Sequence, residues 1–105
     1  MELTGRGGAD GVLDCSGAPQ ALQLAAALLA AEGSLVTVGL MGQRFELPIF
    51  PFVSGERTFA GSFGGNYNDL TEVLALAGQG RIKHTVTPVE LDDINDKLHA
   101  LARAT

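Results

Sequence analysis

Cysteine is almost missing from this sequence, and so are clusters of positive charge and long apolar runs. With Cys15 alone among 105 residues, no internal disulfide can form, and the reducing cytoplasm is the expected compartment. Seven basic residues against 12 acidic ones leave a formal net charge of −5. Without a Lys/Arg run, that balance argues against a nucleic acid or an anionic membrane surface as partner. The longest mostly apolar stretch, 18–31, is too short to span a bilayer and carries Gln20 and Gln23. Met1 to Gly5 has neither a basic region nor an apolar core, so no signal peptide is expected. Repeats, low-complexity segments, Cys-x-x-Cys pairs and His-Glu-x-x-His spacing are absent too.

What is present is a hydrophobic share of 46%, typical of a globular chain. At this length, one small domain or a piece of a larger one buries about 65% of its unfolded surface. The organising stretch is Gly33 to Gly42. Leu35 to Val38 is nearly apolar throughout, which predicts a strand buried on both faces, the habit of parallel sheets. Gly39 and Gly42 follow at its carboxyl end, where open α/β sheets bind ligands and a missing Cβ lets backbone approach one.

Upstream, Asp10 to Cys15 reads as a short strand. Pro19 then opens a helix running to Ala31, with Leu22, Ala25, Ala26 and Leu29 on one face and Gly33 as the left-handed residue that ends it. Downstream, Phe45 and Leu47 alternate with Arg44 and Glu46, which predicts an edge or interface strand over 43–48. A short turn or helical segment is expected over 51–56 and a strand over 57–63. A second helix starts near Asn68 or Asp69, where Asp69 to Glu72 resembles a capping box, and stops at Gly78 or Gly80. Thr85 to Val89 suggests a further short strand. A last helix follows from about Leu91, with Leu91, Ile94, Leu98 and Leu101 at helical spacing, Asp92 and Asp93 in its first turn and Arg103 in its last. The order is that of an α/β protein.

Six stretches then carry a resemblance. Ala9 to Gly17 resembles the fourth Rossmann strand of the zinc-type medium-chain alcohol dehydrogenases. Leu28 to Gly39 looks like that family's next helix and fifth strand, and Phe59 to Gly65 is similar to its sixth. Gly80 to Lys83, Thr85 to Thr87 and Glu90 to Asn95 match the segment that returns to the catalytic domain. The resemblance implies a partial Rossmann fold, a doubly wound parallel sheet with flanking helices. Residues 1–80 would be the second half of the NAD(P)-binding domain, and 81–105 a remnant of the catalytic domain. The family's phosphate loop, ribose-binding acid, zinc ligands and proton relay would lie upstream of this chain, which is therefore expected to be a carboxyl-terminal portion.

The implied parent activity is hydride transfer between an alcohol and NAD or NADP, with zinc supplied by the parent and no ligand from this chain. Within the cleft, Cys15, Ser16 and Gly17 would lie beneath the cofactor. Val38, Gly39 and Leu40 would lie beside the nicotinamide ring, and Ser62, Phe63 and Gly64 would offer backbone to the carboxamide. A homodimer through Arg44–Pro48 is implied as well. The alternatives are a zinc-free quinone or enoyl reductase of the same superfamily and a non-catalytic dimerisation fragment. A methyltransferase core is disfavoured, because the glycine-rich first strand that binds adenosylmethionine is absent.

Taken alone, the residues allow plainer readings. Cys15 reads as a buried small hydrophobe, and His84 and His99 as surface or structural groups. Gly61 to Gly65 is no P-loop, since no lysine follows. Asp14, inside an apolar strand, either faces the cofactor cleft or pairs with a backbone amide, because an unpartnered buried carboxylate is costly.

Overall fold

A strand that places Val12 and Asp14 on one side must place Leu13 on the other, and that alternation decides how the sheet is covered. The computed structural model describes Gly5 and residues 7–104. Its elements are β1 (Ala9–Asp14), α1 (Pro19–Leu28), β2 (Leu29–Thr37), α2 (Ile49–Ser54), β3 (Thr58–Gly61), α3 (Tyr67–Gly78), a 3₁₀ turn (Leu91–Asp93) and α4 (Ile94–Ala104). The three strands form one parallel sheet in the order β1-β2-β3. The chain divides into two compact units, Met1–Gly65 and Asn66–Thr105.

In the first unit, Leu22, Ala25 and Ala26 of α1 pack with Leu29 and Leu35 of β2, and all five are buried. Val12 lies opposite Leu35, and Leu35 opposite Phe59, so these residues share the covered face. Phe45, Leu47 and Phe52 pack against the same core. Leu13 and its neighbour Val36 point to the other face, where Leu13 stays 65% exposed. The organising strand is thus covered on one face within these residues, not on both. The strand order explains this. β1, β2 and β3 step in one direction, so two right-handed crossovers lie on the same side of the sheet.

The end of α1 is also a correction. The helix stops at Leu28, and Leu29 is already extended (φ −66°, ψ 133°). Helix propensity would carry the alanines further, but burying Leu29 completely and pairing it with Ala9 wins. Gly33 does not end the helix; it lies within β2, where an added Cβ would come within about 3 Å of the Ala30 and Ala9 carbonyl oxygens. The left-handed residue is Glu32 (φ 61°), whose N–H donates to the Gly55 carbonyl at 2.7 Å.

Residues 43–48 form no strand, because no other described strand pairs with them. Their alternation is real nonetheless. Arg44, Glu46 and Pro48 are exposed, while Phe45 and Leu47 turn inward. The Phe45 ring meets Phe59 edge-on, with centroids 5.2 Å apart. The expected helical segment is α2, and the expected strand over 57–63 shortens to β3.

In the second unit, the cap of α3 is built three residues upstream of the expected box, at Asn66. Asn66 Oδ1 accepts from the N–H groups of Asn68 and Asp69, and Asp69 Oδ2 accepts from Asn66 N–H at 2.7 Å. At the other end, Gly80 (φ 70°) donates to the Ala77 carbonyl and Arg81 to that of Leu76, the Schellman arrangement. Thr85 to Val89 forms no strand. The last helix begins as the 3₁₀ turn at Leu91 and continues as α4, with Arg103 in its final turn as expected.

Candidate functional site

Every residue singled out for the cleft stands at the carboxyl end of a strand. Cys15, Ser16 and Gly17 follow β1; Val38, Gly39 and Leu40 follow β2; Ser62, Phe63 and Gly64 follow β3. Because the strands are parallel and in register, with Asp14 opposite Thr37 and Thr37 opposite Gly61, the three segments leave from one edge of the sheet.

Hydrogen bonds tie these exits together. Val38 N–H donates to the Asp14 carbonyl and Ser62 N–H to the Thr37 carbonyl, each at 2.9 Å. Further out, Met41 N–H donates to the Ser16 carbonyl at 3.1 Å and Gly42 N–H to the Gly17 carbonyl at 2.9 Å. The glycines permit this contact. A Cβ on Gly39 would overlap Gly17 N and the Ser16 carbonyl carbon, and one on Gly17 (φ 68°) would overlap the Gly39 carbonyl. One on Gly42 would come within 2.8 Å of the Gly17 oxygen. The missing Cβ at Gly39 and Gly42 therefore lets backbone approach backbone.

Asp14 is the polar centre of the edge. It is buried, and both readings of it can now be weighed against its partners. Thr37 Oγ1 donates to Oδ2 at 2.8 Å and Gly17 N–H to the same oxygen at 2.7 Å. Ser16 Oγ donates to Oδ1 at 2.8 Å, with Ser16 N–H at 3.3 Å. The carboxylate thus pairs with backbone amides and two hydroxyls. Thr37's hydroxyl, followed by the donors of Ser16 and Gly17, holds the Asp14 carboxyl below its ordinary range against the opposing effect of burial. Thr37 was not singled out from the sequence. Its signal was the buried acid itself, which needs a donor at the end of whichever strand lies beside β1.

Cys15 is exposed rather than buried, since Asp14 takes the inward position and the next residue turns out. Leu40 and Phe63 are 78% and 87% exposed, large apolar side chains at the mouth of the same edge. Behind the interlocked loops lies a cavity of about 160 Å³ between Leu22, Thr37, Arg44, Phe45 and Phe59. That is below the roughly 300–1,000 Å³ of a pocket for a drug-sized ligand. No three His, Cys, Asp or Glu side chains converge among the described residues, so they do not fit a zinc site.

A parallel sheet with crossover helices and glycine-lined exits at its carboxyl edge is the architecture of part of a doubly wound α/β fold. Residues 1–79 match the family model described as zinc-binding dehydrogenase, and the chain belongs to that family. It is 36% identical over 94 residues to the D-arabinose 1-dehydrogenase (NADP(+)) of Saccharolobus solfataricus, covering 90% of this chain and 27% of that one. The alcohol dehydrogenase of Aeropyrum pernix superposes with a TM-score of 0.89 at 36% identity, over 99% of this chain and 30% of that one. The acetophenone reductase of Geotrichum candidum, solved in complex with NAD, gives 0.85 at 25% identity, over 91% and 28%. The chain therefore spans under a third of the length of these relatives. The Rossmann-type architecture expected from the sequence is the one observed.

Proposed function

We propose that this chain forms the nicotinamide side of the cofactor cleft in an NAD(P)-dependent alcohol dehydrogenase, the site of hydride transfer between an alcohol and the cofactor. One observation carries the reading: the three segments singled out from the sequence all leave one edge of one parallel sheet, tied to each other by backbone hydrogen bonds. The names of relatives that use NADP or bind NAD support the cofactor class. Nicotinamide, when bound, accepts or gives the hydride. The chain's own part is to present backbone N–H and C=O groups at Ser16–Gly17, Val38–Leu40 and Ser62–Gly64, and to keep water from the ring with Leu40 and Phe63. No step through zinc is assigned to these residues.

In the same reading, residues 1–80 belong to the cofactor domain and 81–105 to a catalytic-domain segment, and the protein works in the cytoplasm. The extended segment Arg44–Pro48 would join two copies through its backbone, since Phe45 and Leu47 already serve the chain's own core. Amide NMR of the chain titrated with NADH and NADPH tests the cleft. Saturable shifts at residues 15–17, 38–40 and 62–64 are expected at millimolar cofactor. Shifts confined to other residues would refute the assignment.

A further inference from the structure

The carboxylate of Asp14 makes more contacts than its strand requires. β1 and β2 are already paired through their backbones, and Val38 N–H already continues the ladder to the Asp14 carbonyl. The side chain adds a second connection across the same two strands. Oδ2 receives Thr37 Oγ1 from the end of β2 and Gly17 N–H from the β1 exit, so a single oxygen bridges both. Oδ1 holds Ser16 through its hydroxyl, and that hydroxyl in turn accepts Ala18 N–H at 3.1 Å, the residue that precedes α1.

This bridge lies directly behind the residues assigned to the cofactor. Gly17 is fixed through its N–H by Asp14, and through its carbonyl it receives Gly42 N–H. Ser16 is fixed by the same carboxylate, and its carbonyl receives Met41 N–H. The β2 exit, Val38 to Gly42, is thus bonded to the β1 exit through residues that Asp14 clasps and through the Asp14 carbonyl itself. A side chain without acceptor oxygens at this position would leave the Gly17 amide unpaired in a buried place and the Thr37 hydroxyl unpaired in a half-buried one.

We infer that Asp14 is a positioning residue for nicotinamide binding: its carboxylate sets the relative placement of the Ser16–Gly17 and Val38–Leu40 exits, and the affinity of the cleft for a nicotinamide nucleotide depends on it. The inference rests on the cofactor reading above. Asp14 itself touches no cofactor; it acts through Gly17, Ser16 and Thr37. The four bonds from those three residues need an acceptor with two oxygens, and asparagine offers one oxygen and an N–H₂ that faces a donor. Thr37→Val removes a single bond at nearly constant shape, and Thr37→Ser keeps the hydroxyl.

The test uses the whole chain and nicotinamide mononucleotide as probe, followed by amide NMR, with hydrogen exchange read on the same samples. For Asp14→Asn and Thr37→Val we expect at least fivefold weaker binding, with faster exchange at Gly17, Met41 and Gly42 and unchanged exchange at Leu29 and Leu35. Thr37→Ser should bind within twofold of the wild type. A wild type that binds and an Asp14→Asn chain that binds equally well would overturn the inference while leaving the cleft in place. Should Asp14→Asn fail to fold, Thr37→Val decides by the same criterion, and equal losses in Thr37→Val and Thr37→Ser would also overturn it. A wild type that shows no saturable shifts at residues 15–17 and 38–40 would remove the cofactor reading and the inference together.

Discussion

Gly39→Ala is the sharpest single perturbation this fold offers, because the added atom meets backbone and not a movable side chain. Its Cβ would overlap Gly17 N and the Ser16 carbonyl carbon, and both of those belong to a segment already held by Asp14. The chain can relieve the overlap only by parting the two exits, which gives up the bonds from Met41 to Ser16 and from Gly42 to Gly17. Overpacking of this kind costs about 1–3 kcal/mol, and each lost neutral hydrogen bond about 1 kcal/mol. The substitution should therefore destabilise the chain by about 3–5 kcal/mol, a large part of the roughly 5–15 kcal/mol that holds a domain of this kind together. In urea, followed by circular dichroism, a slope near 2 kcal/mol/M moves the midpoint down by about 2 M. Gly11→Ala is the control. Gly11 also lies in the sheet, but no atom stands within 4 Å of its Cβ position, so its midpoint should hold or rise slightly. A Gly39→Ala midpoint within experimental error of the Gly11→Ala midpoint would show that the exits are not in contact and would refute the interlock.

Two further outcomes follow from backbone and charge. Glu32 (φ 61°) sits in the left-handed region, which costs an L-residue about 1–2 kcal/mol. After glycine's own entropy is counted, Glu32→Gly should gain about 0.5–1 kcal/mol, read as a melting point a few degrees higher; a lower one would refute the strain. Asp14 titrates below the ordinary carboxylate value of 3.8 because Thr37, Ser16 and Gly17 donate to its charged form. A depressed folded-state pKa means that its stabilisation is fully present above that value and is lost as pH falls through the folded one. The acid limb of a urea-midpoint profile should flatten below pH 3.8 in Asp14→Asn, and an unchanged limb would show that another group governs it.

The sequence made the topology legible because its strongest signals were local. The apolar run at Leu35, the proline and alanines of α1 and the glycines at the carboxyl end of β2 each fix one element, and their order fixes a parallel α/β sheet. What it concealed were competitions between elements. Leu29 and Ala30 have the propensity of a helix and the burial of a strand, and only the presence of Ala9 beside Leu29 decides for the strand. Likewise, the sequence points to Gly33 as the left-handed residue, because glycine is free to turn. Position decided for Glu32 instead, since Gly33 is pressed between the Ala30 and Ala9 carbonyls. At the site the three exits could be named from their place after each strand. Thr37 could not, because its importance comes from lying opposite Asp14, and register is a property of two strands at once.

Phe45 and Leu47 show the same limit in another form. Their alternation with Arg44, Glu46 and Pro48 survives in the fold, yet it marks an extended segment closing the chain's own core. Alternation records only that one side of an extended chain is dry; whether sheet, helix or a second copy supplies the dryness is not in the period. Here it is supplied by the Phe59 ring and the α1 core, so replacing Phe45 and Leu47 with lysines should unfold the first unit rather than separate a dimer. Burying two ammonium groups against Leu22 and Leu35 has no compensating partner, and large losses at such positions are typically about 3–5 kcal/mol for truncation alone. The distinguishing measurement is circular dichroism beside sedimentation. Loss of structure at every concentration is expected, and a folded monomer in the double variant would show that the two side chains face another copy instead.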